Sequence, residues 1–141
     1  MITRTATARY EGLGKPGKGS ISTQSGVLSN QRYGFGTRFE NEPGTNPEEL
    51  IGAAHAACFT MALSFALARR GLTEGTLETT ARITLEQEGE GFTITRSDLA
   101  LTAQVTGISA DDLRAVAEDA KANCPVSKLL NAEVTLKTEV R

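Results

Sequence analysis

A helix whose start and stop are both written into the chain constrains this sequence more than any other feature. Asn46 stands where an N-cap belongs, Pro47 takes the first helical position, and Glu49 follows the cap by three residues. Between Leu50 and Leu67 nearly every side chain is apolar or small, and Ile51, Ala54, Cys58, Met61, Phe65 and Ala68 recur at spacings of three and four. Arg69 and Arg70 complement the C-terminal dipole, and Gly71 stops the helix. The spacing predicts a buried stripe that carries Cys58. Gly52, Ala53, Ala54, Ala56, Ala57 and Ala62 surround that stripe, so other backbone can approach closely on more than one side. In a chain of 141 residues such a helix has to be central.

The flanks read as strands. Residues 3 to 10 alternate and are Thr-rich, as a half-exposed strand would be. After a turn built on Gly12, Gly14, Pro16 and Gly17, Gly19 to Val27 and Gln31 to Phe39 read as two short strands joined at Ser29 and Asn30. Downstream of the helix, Leu77, Thr79, Ala81, Ile83 and Leu85 alternate with polar residues, and Glu88-Gly89-Glu90-Gly91 turns the chain back. In the returning strand Phe92 and Ile94 keep one parity while Leu99, Leu101, Ala103 and Val105 keep the other, which predicts a bulge between Thr95 and Asp98. Ser109 with Asp112 starts a helix that carries Leu113, Val116 and Ala120 inward to about Asn123; a short helix follows from Pro125 to Leu130, and Val134, Leu136, Thr138 and Val140 alternate as a closing strand. The expectation is one α+β domain over residues 1–141.

Bulk properties remove several function classes. A net charge of -2 and a pI near 5.5, with cations dispersed among acids, offer no basic stripe to a nucleic-acid backbone. The apolar run from Leu50 to Leu67 is interrupted by His55 and Ser64, and the N-terminus lacks a charged-then-apolar secretion signal, so no membrane is expected and the cytoplasm is the expected compartment. Two cysteines are too few for a disulfide scaffold; in a reducing compartment they are either catalytic or simply buried.

The two cysteines lie in different helical settings. Cys58 is in the middle of the long helix, where an isolated cysteine can serve as a small hydrophobe. Cys124 precedes Pro125 and so falls at or near a helix N-cap, beside unpaired N–H groups that favour a thiolate. On dipole grounds Cys124 is the better nucleophile, and Cys58 needs an outside cation or hydrogen-bond donor to ionise. His55, three residues before Cys58, is either its catalytic partner or a structural residue. Two cysteines and one histidine with no C-x-x-C make a poor zinc set, and no cofactor-binding motif is present.

Taken together, Tyr33-Gly34-Phe35-Gly36-Thr37-Arg38-Phe39-Glu40, the stretch from Gly44 to Phe59 through Ala57-Cys58, and Cys124-Pro125-Val126-Ser127 closely resemble the osmotically inducible protein C family over essentially the whole chain. The position of the arginine just before the helix, in Thr37-Arg38-Phe39, resembles the osmotically inducible branch rather than the organic-hydroperoxide-resistance branch.

That resemblance implies antiparallel sheets wrapped around two central helices in an intertwined α+β homodimer, with active sites at the subunit interface. It implies a thiol-dependent peroxidase that reduces organic hydroperoxides, with Cys58 as the peroxidatic thiolate, Cys124 as the resolving cysteine, and Arg38 with Glu48 as the polar pair that serves them. An outside dithiol, of lipoyl type in the family, would reduce the resulting disulfide. A guanidinium is a permanent cation that can both favour a thiolate and donate to peroxide oxygens, and a carboxylate can hold it in a bidentate grip. Ten residues separate Glu48 from Cys58, about 15 Å along a continuous helix, so either the helix breaks near Gly52 or a second copy brings Glu48 to its partner's Cys58. The small-residue surface favours the second. The competing readings are a non-catalytic or regulatory binding module on the same fold and a general thiol-disulfide oxidoreductase; the presence of all four residues disfavours the first, and the lack of C-x-x-C the second.

Overall fold

The computed structural model describes residues 1–141, which divide into two compact units, Met1–Leu50 and Ile51–Arg141. In the first unit β1 (Ala6–Glu11), β2 (Lys18–Thr23) and β3 (Gln31–Tyr33) form an antiparallel sheet in that order. The expected strands are there but shorter than their patterns suggest. β2 ends at Thr23, where the Thr23 N–H donates to the Leu28 carbonyl at 2.9 Å and Gly26 takes a positive φ of 80° to close the turn.

β3 also stops early. The expected strand through Phe39 gives way at Gly34 to a short helix, α1 (Phe35–Phe39). Thr37 explains the switch: its Oγ1 accepts from the Gly34 N–H at 2.9 Å and donates to the Gly34 carbonyl at 3.1 Å, a local turn that competes with the ladder. Gly36 leaves room for the Glu42 side chain where the chain folds back: a Cβ there would lie 2.2 Å from it and make it swing aside. Glu42 in turn pairs with Arg32 at 2.7 Å, so the loop after α1 is tied to β3.

α2 (Pro47–Arg69) follows without a break, its first turn closing the first unit and its remainder opening the second. Asn46 Oδ1 accepts from the Glu49 N–H at 2.8 Å, the cap that the sequence predicts. α2 is long and apolar enough to cross a membrane by length and composition alone, yet here it packs through one face on a sheet.

In the second unit β4 (Gly75–Glu88) and β5 (Gly91–Val105) make a long antiparallel hairpin. Leu77, Thr79, Ala81 and Ile83 pair with Ala103, Leu101, Leu99 and Ser97, which puts both predicted stripes on one face. The register shifts opposite Thr84 and Leu85, whose partners are Arg96 and Ile94, so Thr95 is the extra residue of the bulge. α3 (Ala110–Asn123) starts at Ser109, whose hydroxyl accepts from the Asp112 N–H, and α4 (Pro125–Leu129) follows it directly. β6 (Glu133–Val140) then pairs with β5 in parallel, which corrects the expectation of purely antiparallel sheets. The reason is the crossover through α3 and α4, long enough to carry the chain from Val105, where it leaves β5, back toward the start of that strand, so that Glu133 pairs with Arg96.

The core of this unit joins Phe59, Leu63 and Leu67 of α2 to Leu99, Leu101 and Ala103 of β5 and to Leu113, Val116, Ala117 and Ala120 of α3. The stripe that the sequence suggested as buried is therefore the wrong one. Gly52, His55, Phe59, Leu63 and Leu67 face inward, whereas Met61 and Phe65 are about three-fifths exposed and Ala54 and Ala68 are open to solvent. A helix with apolar residues on two faces satisfies the three-and-four spacing twice, and periodicity alone cannot choose between the faces.

Candidate active site

The first unit places a charged pair beside an aromatic hollow. Arg38 comes from α1 and Glu48 from the first turn of α2; Nε of the guanidinium donates to both carboxylate oxygens, at 2.9 and 3.2 Å, and Nη2 donates to Oε1. Asn46 fixes the spacing between the two elements, because its side chain caps α2 and also donates to the Thr37 carbonyl at 3.0 Å. Glu48 is almost fully buried, while the Arg38 side chain is about a third exposed, so the guanidinium has one edge engaged and another free to meet a ligand. Beside it lies a mostly apolar hollow of about 260 Å³ walled by Tyr10, Tyr33, Phe35, Phe39 and Pro47. The aromatic wall was not legible as a group in the sequence, because its members come from three separate segments.

The second unit brings the two cysteines together. Cys58 is half-buried on α2; Cys124 is completely buried, capping α3 at its C-terminus and α4 at its N-terminus at once. Both thiols are free, and they lie close enough for each to shift the other's ionisation. A separation of 66 positions left this open; the fold closes it by ending α3 against α2.

Their ionisation follows from the donors around each. Burial pushes the Cys58 thiol up, and the hydrogen bond shared with Cys124 pushes the same way, against a weaker pull from the Val126 N–H. Burial also opposes ionisation of Cys124, but hydrogen bonds from Cys58, the Ser127 N–H and hydroxyl, and the Val126 N–H outweigh it and hold that thiol below its ordinary value. The groups that set the two thiols are neighbours in the second unit: the other cysteine, Val126 and, for Cys124, Ser127. Cys58 is the largest lowering influence on Cys124, and the helix start expected at Cys124-Pro125 supplies the share that comes from the Ser127 and Val126 N–H groups.

His55 does not pair with Cys58. It is completely buried, with Nδ1 2.6 Å from Ser97 Oγ and Nε2 2.8 Å from Ser127 Oγ, and burial lowers its pKa. Ser97 is the residue here that carried no signal in the sequence: it is one serine among several, and only strand register puts it under the imidazole.

An α+β chain that holds two free thiols in contact where one helix hands over to the next defines a cysteine-pair redox protein. Residues 39–139 match the family described as OsmC-like protein, and the chain belongs to that family. It is 51% identical over 140 residues to peroxiredoxin OsmC of Escherichia coli (strain K12), covering 99% of this chain and 98% of that one. It is 35% identical over 103 residues to the organic hydroperoxide resistance protein OhrA of Bacillus subtilis (strain 168), covering 70% and 69% of the two chains. The crystal structure of OhrB from Bacillus subtilis superposes with a TM-score of 0.69 at 26% identity, covering 99% of this chain and 98% of that one.

Proposed function

We propose that this protein is a thiol-dependent peroxidase that reduces organic hydroperoxides to alcohols, with residues 1–141 working as one functional unit. The observation that carries the reading is the contact between Cys58 and Cys124, two free thiols in a chain half identical to a peroxiredoxin. Cys58 as thiolate attacks the distal peroxide oxygen, the O–O bond breaks, and the alkoxide leaves as alcohol with one proton. The Cys58 sulfenic acid then condenses with Cys124 to a disulfide and water. An external dithiol, of lipoyl type, reduces the disulfide by exchange.

Within one chain the donors favour the anion on Cys124, so a peroxidatic Cys58 needs a cation from elsewhere. Arg38, oriented by Glu48, is our candidate, supplied to Cys58 from a second subunit of a homodimer. Two observations support this arrangement. α2 does not break at Gly52, which favours the crossing of two helices over a folded-back carboxylate. The exposed stripe of Ala54, Ala57, Met61, Phe65 and Ala68 is apolar and small enough for a second copy of α2 to cover. The aromatic hollow beside Arg38 would then hold the organic part of the hydroperoxide. We place the enzyme in the cytoplasm, where a reducing dithiol pool is at hand.

The test is peroxide consumption by the purified protein with cumene hydroperoxide and with hydrogen peroxide, each supported by dihydrolipoamide or by a monothiol. Rapid turnover of the organic peroxide with the dithiol is expected. No consumption of either peroxide under any reductant would leave the regulatory-module reading in its place.

A further inference from the structure

His55 takes no part in the peroxide chemistry, yet it is wholly buried, as is its partner Ser97. A buried imidazole has to satisfy both ring nitrogens. Hydroxyls do so here: Ser97 Oγ of β5 lies 2.6 Å from Nδ1, and Ser127 Oγ of α4 lies 2.8 Å from Nε2. Each hydroxyl can donate or accept, so the neutral ring is matched in either tautomer. The ring ties α2, β5 and α4 together across 42 and 72 positions of sequence. A residue needed only to fill this space would be apolar. Ser97 makes a firm seat, because β5 is the middle strand of its sheet and pairs Ser97 with Ile83 of β4 and Val134 of β6.

The same two helices carry the cysteines. His55 and Cys58 are three positions apart on α2, and Cys124 and Ser127 are three apart at the start of α4, so each pair shares one turn of helix. The Lys128 N–H donates to the Cys124 carbonyl at 3.1 Å, which makes Cys124 part of the turn that bears Ser127. α2 and α4 thus meet through two rungs one turn apart, a hydrogen-bonded rung at His55 and Ser127 and a thiol rung at Cys58 and Cys124. Little else holds α4. It is five residues long with none of them buried, Leu129 is 78% exposed, and its contribution to the core is the partly buried Val126. So short a helix does not keep its shape or place unaided.

We infer that His55 is a positioning residue for the resolving step: seated on Ser97 and bonded to Ser127, it fixes α4 against α2 and so keeps Cys124 within reach of Cys58. The inference rests on the peroxidase reading, in which Cys124 resolves the Cys58 sulfenic acid. In that step Cys124 Sγ attacks the Cys58 sulfur, the S–S bond forms, the S–O bond breaks, and the hydroxyl leaves as water with the thiol proton. Its rate follows the effective concentration of one sulfur at the other, which is set by the ordering of the segments that carry them. The hydrogen-bonded rung raises that concentration by removing the freedom of α4. Slow resolution also exposes Cys58, because a sulfenic acid left waiting reacts with a second hydroperoxide to give sulfinic acid and a second alcohol.

The clamp is tested on the purified protein by equilibrating the Cys58 and Cys124 pair in buffers of reduced and oxidised dithiothreitol, a measurement that needs no peroxidase activity. His55→Phe keeps a ring in the space but bonds neither hydroxyl, Ser97→Ala removes the seat without altering α4, and Ser127→Thr keeps the hydroxyl. The equilibrium constant for disulfide formation should fall roughly tenfold in His55→Phe, an upward shift of about 30 mV in midpoint potential, and roughly threefold in Ser97→Ala. Ser127→Thr should stay within about twofold of wild type. In a single turnover with cumene hydroperoxide, disulfide formation should slow by similar factors relative to peroxide cleavage, and excess peroxide should leave more sulfinic acid on Cys58 in His55→Phe. A residue that merely fills the core would lower the melting temperature and leave the potential where it was. A wild-type potential in His55→Phe overturns the clamp, and so does a Ser127→Thr potential displaced as far as that of His55→Phe, since the hydroxyl is kept. Should His55→Phe fail to fold, the potential of Ser97→Ala decides alone. A wild-type protein whose cysteine pair titrates as a disulfide but which consumes no hydroperoxide overturns the peroxidase reading instead.

Discussion

Arg38 grips Glu48 with two of its nitrogens at once: Nε lies 2.9 and 3.2 Å from the two carboxylate oxygens, and Nη2 bonds Oε1 again. Because the carboxylate is buried and the guanidinium only partly so, the pair points a cation outward in a fixed direction. Arg38→Lys should therefore lose most peroxidase activity while keeping the charge, by roughly 10- to 100-fold in kcat/KM, since a lysine cannot make the forked contact. Steady-state kinetics with an organic hydroperoxide checks this, and activity near wild type would mean that charge alone suffices.

The proposed mechanism gives the two cysteines unequal tasks. Cys58→Ser should abolish hydroperoxide reduction, whereas Cys124→Ser should undergo one oxidation and then accumulate sulfenic or sulfinic acid on Cys58. Mass spectrometry of each variant after peroxide treatment distinguishes the two. The opposite pattern would reverse the roles, in line with the local donors that favour Cys124.

Mixing subunits tests the shared site. Cys58→Ser and Glu48→Ala proteins are each expected to be inactive, but in a mixed dimer one of the two sites regains both wild-type residues, up to about half a site per dimer. Confirmed subunit exchange without recovered activity rules the shared site out.

The exposed stripe of α2 should hold the dimer together. Phe65→Glu places a charge where about three-fifths of the side chain is open in the single chain. Sedimentation should then show monomers, and the Cys58 thiol, deprived of the partner's cation, should titrate higher, by about 1–3 pH units as for loss of one neighbouring opposite charge. An unchanged dimer would show that the stripe is not the interface.

His55 links folding to pH. Its pKa in the folded protein lies below the ordinary 6.5 because it is buried, so below that pH the unfolded chain binds a proton that the folded one refuses. Its contribution is fully present above pH 6.5 and declines as pH falls toward the folded pKa, at up to about 1.4 kcal/mol per pH unit. Denaturant unfolding between about pH 5 and 7, the range over which an ordinary histidine titrates, should show this slope in the wild type and a shallower one in His55→Gln.

Much of this protein is determined by sequence acting locally. Asn46, Pro47 and Glu49 start α2 whatever lies beyond them, Ser109 starts α3, and Cys124-Pro125 puts a thiol among free N–H groups, because caps and turns depend on neighbours a few residues away. The alternation in β4 and β5, with its parity break, likewise locates the Thr95 bulge to within a residue or two of where the pattern puts it. Other outcomes escaped the hydrophobic pattern, and all but the first of these needed contacts far apart in the chain. Thr37 turned a strand-like segment into α1 and so gave Arg38 its direction; the crossover through α3 and α4 made β6 parallel; and packing chose the face of Phe59 and Leu63 over that of Met61 and Phe65. Ser97 met His55 across 42 residues, and Ser127 met it across 72, through register and helix placement that no short window of sequence contains. Local chemistry is fixed by residues that are covalently near, whereas a site is assembled by burial, which acts on the whole surface of the chain at once.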